Sequence, residues 1–107
     1  IELTNVPWER NLYFPTQSLV KIAKSHGVKK LALFGSVLSD DFKAESDVDV
    51  LVEFLPGKKP GSFAFIQLRE ALEKLFAQRK VDLRTLSEIS REFRDSVEAD
   101  AVVIYED

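Results

Sequence analysis

The sequence predicts an α/β domain in which helices cover one face of a mixed β-sheet and leave an acidic face open. Three observations carry that expectation. First, helical and strand-like apolar periodicities alternate along the chain in the order helix, strand, short helix, strand, helix, strand, helix, strand. Second, Asp47-Val48-Asp49-Val50-Leu51-Val52-Glu53-Phe54 is a strand with two unlike faces. Val48, Val50 and Val52 share one face and Asp47 and Asp49 the other, because successive strand side chains alternate. The valine face can pack on helices. The aspartate face cannot lie under an apolar layer without pairing or neutralising its charge. Third, at 107 residues the chain has the length of one domain with one core.

Residues 1–15 read as an extended arm, with Pro7, Trp8, Tyr13, Phe14 and Pro15 among them and the aromatics packing on the chain's own core. Thr16 is placed as an N-cap for a helix with Leu19, Val20, Ile22 and Ala23 at helical spacing, stopped by Gly27. The single histidine, His26, falls in the last turn, where a cation suits the helix dipole. Leu31-Ala32-Leu33-Phe34 is a short buried strand ended by Gly35-Ser36, and Val37 to Phe42 follows as one or two helical turns. A polar loop, Lys43-Ala44-Glu45-Ser46, leads into the aspartate strand.

Leu55-Pro56-Gly57-Lys58-Lys59-Pro60-Gly61 is the strongest loop signal, readable as a solvated connection or as a mobile flap. Ser62 caps the next helix, whose stripe is Phe65, Leu68, Leu72, Leu75 and Phe76. Val81-Asp82-Leu83 is a short strand with Asp82 facing away from its apolar neighbours. Ser87 to Val97 is a last helix anchored by Phe93 and Val97, and Ala101 to Tyr105 a last strand.

Composition narrows the function classes. No apolar run approaches the ~20 residues that span a bilayer, and no signal-peptide pattern opens the sequence. There are no cysteines, which excludes disulfides and thiolate metal sites and fits a cytoplasmic location. One histidine excludes a multi-histidine metal site. A net charge of −3 argues against direct, non-specific nucleic-acid binding, which depends on cationic charge.

The chemistry concentrates between residues 31 and 54. Two carboxylates one strand-repeat apart repel, and a divalent cation between them removes that penalty. Hard oxygen ligands of this kind suit Mg²⁺, which leans on phosphates for the rest of its shell. Gly35 allows a tight turn and close approach of a ligand, and the Ser36 hydroxyl with nearby N–H groups can hold a phosphate. If the Val81–Leu83 strand lies beside the aspartate strand, Asp82 joins Asp47 and Asp49. Three acidic groups can hold two metals.

Gly35-Ser36, ten intervening residues and Asp47-x-Asp49 resemble the signature of the DNA polymerase beta-type nucleotidyltransferases. The short length and flanking apolar runs resemble the minimal nucleotidyltransferase (MNT) branch, whose members serve as antitoxins of HEPN toxins. The resemblance covers the chain from about Thr16 onward. It implies the nucleotidyltransferase fold, a catalytic and metal-binding triad of Asp47, Asp49 and Asp82 with two Mg²⁺ ions, and ATP as substrate. It also implies nucleotide contacts from Gly35 and Ser36, with Lys43 and Arg84 as candidate phosphate cations. The implied reaction is transfer of AMP to a tyrosine hydroxyl of a HEPN ribonuclease, in a hetero-oligomer with that toxin; a homo-oligomer is also compatible.

One departure stands out. Family members often carry a basic residue three positions after the serine; here that position is Ser39, followed by Asp40 and Asp41. This favours the alternative of a non-catalytic antitoxin that neutralises its toxin by binding. Small-molecule nucleotidyl transfer would need an acceptor domain for which 107 residues leave no room. A purely structural or Ca²⁺-binding aspartate cluster would leave Gly35-Ser36 unexplained.

Overall fold

The computed structural model describes residues 8–107. The part of the expected arm over residues 1–7 lies outside the described residues. The rest of the arm is not uniformly extended: Trp8–Asn11 forms a short helix, α1. It is followed by Leu12, which is buried, and Phe14, whose ring meets Phe76 at 5.5 Å.

Helix α2 spans Thr16–Ser25, with Pro15 rather than Thr16 in the N-cap position. Gly27 follows with φ +68, the left-handed conformation that lets the chain leave the helix and enter β1, Val28–Phe34. Strand β2 is Val48–Phe54, α3 is Ser62–Leu75 and β3 is Val81–Arg84. Helix α4 is Arg91–Asp100 and β4 is Val102–Glu106. Between β1 and β2 the expected one or two helical turns over Val37–Phe42 reduce to a single 3-10 turn, Gly35–Leu38.

The four strands lie in the order β3-β2-β1-β4. β1 pairs antiparallel with β2 and with β4, while β2 and β3 are parallel. The parallel pair follows from α3, since parallel neighbours need a crossover connection. One face of the sheet buries Val48, Val50 and Val52 with Leu31 and Leu33 against Leu19 and Ala23 of α2 and Leu68 and Leu72 of α3. The apolar stripes of both helices thus seat on the valine face, as their spacing predicts.

The opposite face is open around the aspartates and covered farther along. Ala32, Leu51 and Ile89 form a second cluster there, with Phe34, Leu86, Val97 and Ala101 packed against it. The last helix starts later than its sequence suggests. Ser87 lies in a 3-10 turn, Leu86–Glu88, closed by a capping box between Thr85 and Glu88, and the N-cap of α4 is Ser90. Val97 anchors α4, but Phe93 does not, being 60% exposed. Arg94 does more: its guanidinium donates to the carbonyls of Ile89 and Ser87, both at 2.9 Å.

Candidate active site

The site is assembled where β1 ends and β2 and β3 begin. Antiparallel register places Phe34 opposite Asp49, and parallel register places Asp82 opposite Asp49. Asp49 therefore sits between the last residue of β1 and the third carboxylate. Asp47, which the sequence assigns to the same face, precedes β2 by one residue. The half-buried Asp49 carboxyl is pushed up from its ordinary 3.8 to about 6. Burial is the main cause, followed by the charges of Asp82 and Asp47, with Arg84 opposing them.

Gly35 is required twice over. Its φ is +79, and a Cβ at this position would collide with the Asp49 carboxylate oxygen Oδ2. The absence of a side chain is what lets the turn close over the aspartate. Ser36 lies within the 3-10 turn, and its carbonyl accepts from the Ser39 N–H at 2.9 Å and the Ser39 hydroxyl at 3.1 Å. Among the described residues no hydrogen bond occupies the Ser36 hydroxyl. Ser39, three positions after Ser36, closes this turn, and its Oγ also accepts from the Asp41 N–H at 3.1 Å.

The two candidate cations differ in placement. The Arg84 guanidinium forms an ion pair with Asp82, Nε to Oδ1 at 3.1 Å. Lys43 sits on the exposed loop before Asp47, where its backbone, not its ammonium, makes the hydrogen bonds. Two residues that sequence reasoning passed over hold the backbone of the site. Asn11 donates from Nδ2 to the carbonyls of Val37 at 2.7 Å and Ser39 at 2.9 Å. Arg79 donates from Nη2 to those of Lys43 at 2.6 Å and Ser46 at 3.0 Å. No local motif marks either residue, because their partners are carbonyls 26 to 36 residues away.

The donor set fits a hard divalent cation. It is all oxygen, and its central carboxylate is destabilised by two like charges that a cation would offset. Among the described residues, no three acidic or histidine side chains are already closed around a metal-sized point. The Asp82 carboxylate is engaged by Arg84. On the same sheet face, one strand-repeat beyond Asp49, a cavity of about 440 Å³ is lined by Leu51, Phe54, Leu86, Lys30, Lys59 and Glu98 among others. The loop of residues 55–61 lies at the far end of β2 from the aspartates, packs by Lys58 against Gly27 and lines the cavity with Leu55 and Lys59.

Comparison with known proteins agrees with this geometry. The profile of the Polymerase beta, Nucleotidyltransferase family matches residues 17–107. A Methanocaldococcus jannaschii relative, provisionally named a protein adenylyltransferase, is 37% identical over 86 residues, covering 78% of this chain and 85% of its own. A solved structure provisionally described as a minimal nucleotidyltransferase superposes with a TM-score of 0.67 and 26% identity, over 81% of this chain and 86% of that one. The MNT antitoxin fold is shared as well. A complex containing tri-AMPylated Shewanella oneidensis HEPN toxin and MNT antitoxin aligns with a TM-score of 0.60 at 19% identity, over 94% of this chain and 73% of that one. No described helix is long and apolar enough to cross a membrane. With its strand order, its glycine-serine turn and its aspartates in register, the chain belongs to the polymerase beta-type nucleotidyltransferase family, in its minimal branch.

Proposed function

We propose that this nucleotidyltransferase is a Mg²⁺-dependent protein adenylyltransferase and antitoxin, moving AMP from ATP to a tyrosine hydroxyl of a HEPN ribonuclease toxin. The observation that carries the reading is Asp49 held between Gly35 and Asp82 by strand register. The names of the relatives support the reaction class, and the Shewanella oneidensis complex supports the partner. Ser36 and the N–H groups beside Gly35 bind the β- and γ-phosphates. Asp47 and Asp49 would hold one Mg²⁺ ion, and Asp82 would contribute to a second site. Bound there, the metal supplies charge neutralisation at the triphosphate and a lowered pKa at the attacking oxygen. The acceptor oxygen forms a bond to the α-phosphorus as the bond to the β-phosphate oxygen breaks, and pyrophosphate leaves. Asp82 takes or orients the acceptor's proton. No nucleophilic residue is needed, since phosphoryl transfer rests on positioning and charge. Arg84, released from Asp82, would be the phosphate cation nearest the triad, and the cavity beside Leu51 and Leu86 would offer an apolar bed for the nucleoside.

A second reading, neutralisation of the toxin by binding alone, is favoured by one observation. Ser39 serves as a turn cap beside two exposed aspartates where a phosphate-neutralising cation would stand. The test is incubation with Mg-ATP and a HEPN toxin from the same genome, followed by intact mass measurement of both chains. AMP-sized increments on the partner, absent with Asp47→Ala and Asp49→Ala combined, are expected. A stable complex without mass change would replace the first reading with the second.

A further inference from the structure

Arg79 is placed in a way that its charge does not explain. Among the described residues it forms no ion pair with a carboxylate. Its Nη2 donates to the Lys43 and Ser46 carbonyls, its guanidinium carbon stands 4.2 Å from the centroid of the Phe42 ring, and its Nε is buried without a partner. A guanidinium placed only for stability would be expected to satisfy its donors, since an unpaired buried N–H is unfavourable. The turn that delivers it is also strained. Ala77 and Gln78, neither of them glycine, have φ of 59 and 69. Such outliers persist where surrounding structure over-determines them and cluster at functional positions.

The loop that Arg79 grips is the lead-in to the aspartates. Lys43 and Ser46 close a turn through Ser46 N–H to Lys43 O at 3.0 Å and Lys43 N–H to Ser46 Oγ at 3.0 Å. Asp47 is the next residue, and Val48 N–H then bonds to the carbonyl of Lys80, beside Arg79, at 2.8 Å. Arg79 and Lys80 therefore fix the backbone on both sides of Asp47. Asp47 itself lies outside the sheet ladder and has no side-chain hydrogen bond among the described residues.

We infer that Arg79 is the positioning residue of the metal site: it holds the 42–46 loop so that the Asp47 carboxylate is presented beside Asp49. The inference rests on the proposed metal role of Asp47 and Asp49. Arg79 does not touch nucleotide or acceptor; it acts through the backbone before Asp47. Residues of this kind, which orient a metal ligand from behind, alter metal affinity by about 10- to 100-fold when replaced.

The experiment is Mn²⁺ binding followed by electron paramagnetic resonance in the presence of a non-hydrolysable ATP analogue, alongside amide hydrogen exchange, on the full chain. Arg79→Lys keeps the charge but loses the planar fork that reaches two carbonyls. It is expected to weaken Mn²⁺ about tenfold and to speed exchange at residues 43–48 while leaving β1 and α3 protected. The metal concentration for half-maximal transfer should rise by the same factor, with kcat at saturating metal largely restored. If Arg79→Lys does not fold, Phe42→Leu loosens the same grip from the loop side and should weaken Mn²⁺ by a few-fold. Unchanged Mn²⁺ affinity in the variant that folds would overturn the assignment, as would faster exchange spread evenly over the domain. Asp47→Ala with Asp49→Ala serves as the separating control: if that protein binds Mn²⁺ like the wild type, the metal-site reading itself has failed, whatever Arg79 does.

Discussion

The two loops that flank β2 make an instructive pair. The loop at its C-terminal end, residues 55–61, carries two prolines and two glycines and is the loudest break in the sequence. The loop at its N-terminal end, residues 39–47, has neither residue type. Yet the quiet loop is the one tied down. Asn11, Ser39, Ser46 and Arg79 all hydrogen-bond its backbone. The loud loop is held by the bonds Leu55 N–H to Gly27 O and Lys58 N–H to Leu55 O. The seven residues of β2 separate the two by about 20 Å at the usual strand rise. Breaker residues report where the chain turns. They do not report where a turn is held still by side chains from distant segments.

Two glycines sharpen the contrast, because they share a backbone conformation and differ in surroundings. Gly35 has φ +79 and the Asp49 carboxylate pressed against it; Gly57 has φ +77 and no atom within 4 Å of where a Cβ would stand. Gly35→Ala should therefore show the largest effect. The left-handed backbone costs about 1–2 kcal/mol, and the collision with Asp49 brings the total to about 3. Transfer measured by intact mass should fall at least about 100-fold, in line with displacement of a catalytic group.

Next in size is Asp49→Asn. Asp49 holds its proton more tightly in the folded chain than in the unfolded one, from 3.8 to about 6. Its ionisation therefore erodes stability as pH rises through that window, and the deficit persists above it. Replacing it with asparagine should stabilise the metal-free protein by about 1–2 kcal/mol at pH 8 after discounting for solvent screening. The gain should vanish by about pH 4. Thermal melts across pH check this, and added Mg²⁺ should raise Tm in the wild type but not in the variant.

Gly57→Ala should cost about 1 kcal/mol for its backbone alone and leave transfer unchanged. The change Lys58→Ala, outside the cavity that Lys59 lines, should be the smallest, within about 0.5 kcal/mol and twofold in rate. A large rate loss from either would mean that the far loop acts on the aspartates, and the contrast between the two ends of β2 would collapse.

What the sequence makes legible follows from where information is local. Alternation along Val48–Phe54 states which face is buried, and Asp82 between Val81 and Leu83 announces its face in three residues. Gly35-Ser36 and the aspartate pair are equally local. Arg79 and Asn11 are illegible for the opposite reason. Their partners are backbone carbonyls, which have no sequence identity, and the pairing exists only after distant segments meet. Phe93 misled because an apolar residue at helical spacing looks like an anchor, whereas the seat of α4 is set by Val97 and by Arg94 reaching two carbonyls. The second apolar cluster over the acidic face was hidden similarly, since it joins Ala32, Leu51 and Ile89 from three separate elements.

The parallel seating of β3 on β2 sets a timetable for the chain as it is made. The hairpin of β1 and β2 brings Gly35 to Asp49 through neighbours in sequence and can close early. Asp82 arrives only after α3 has crossed over and β3 has docked, and the strand pair it joins is the slow, non-local kind. Until then a young chain carries two of the three carboxylates beside a loop that Arg79 does not yet grip. On the proposed reading the triad is thus complete only once this crossover pairing is made, whereas bringing Gly35 to Asp49 needs only the hairpin.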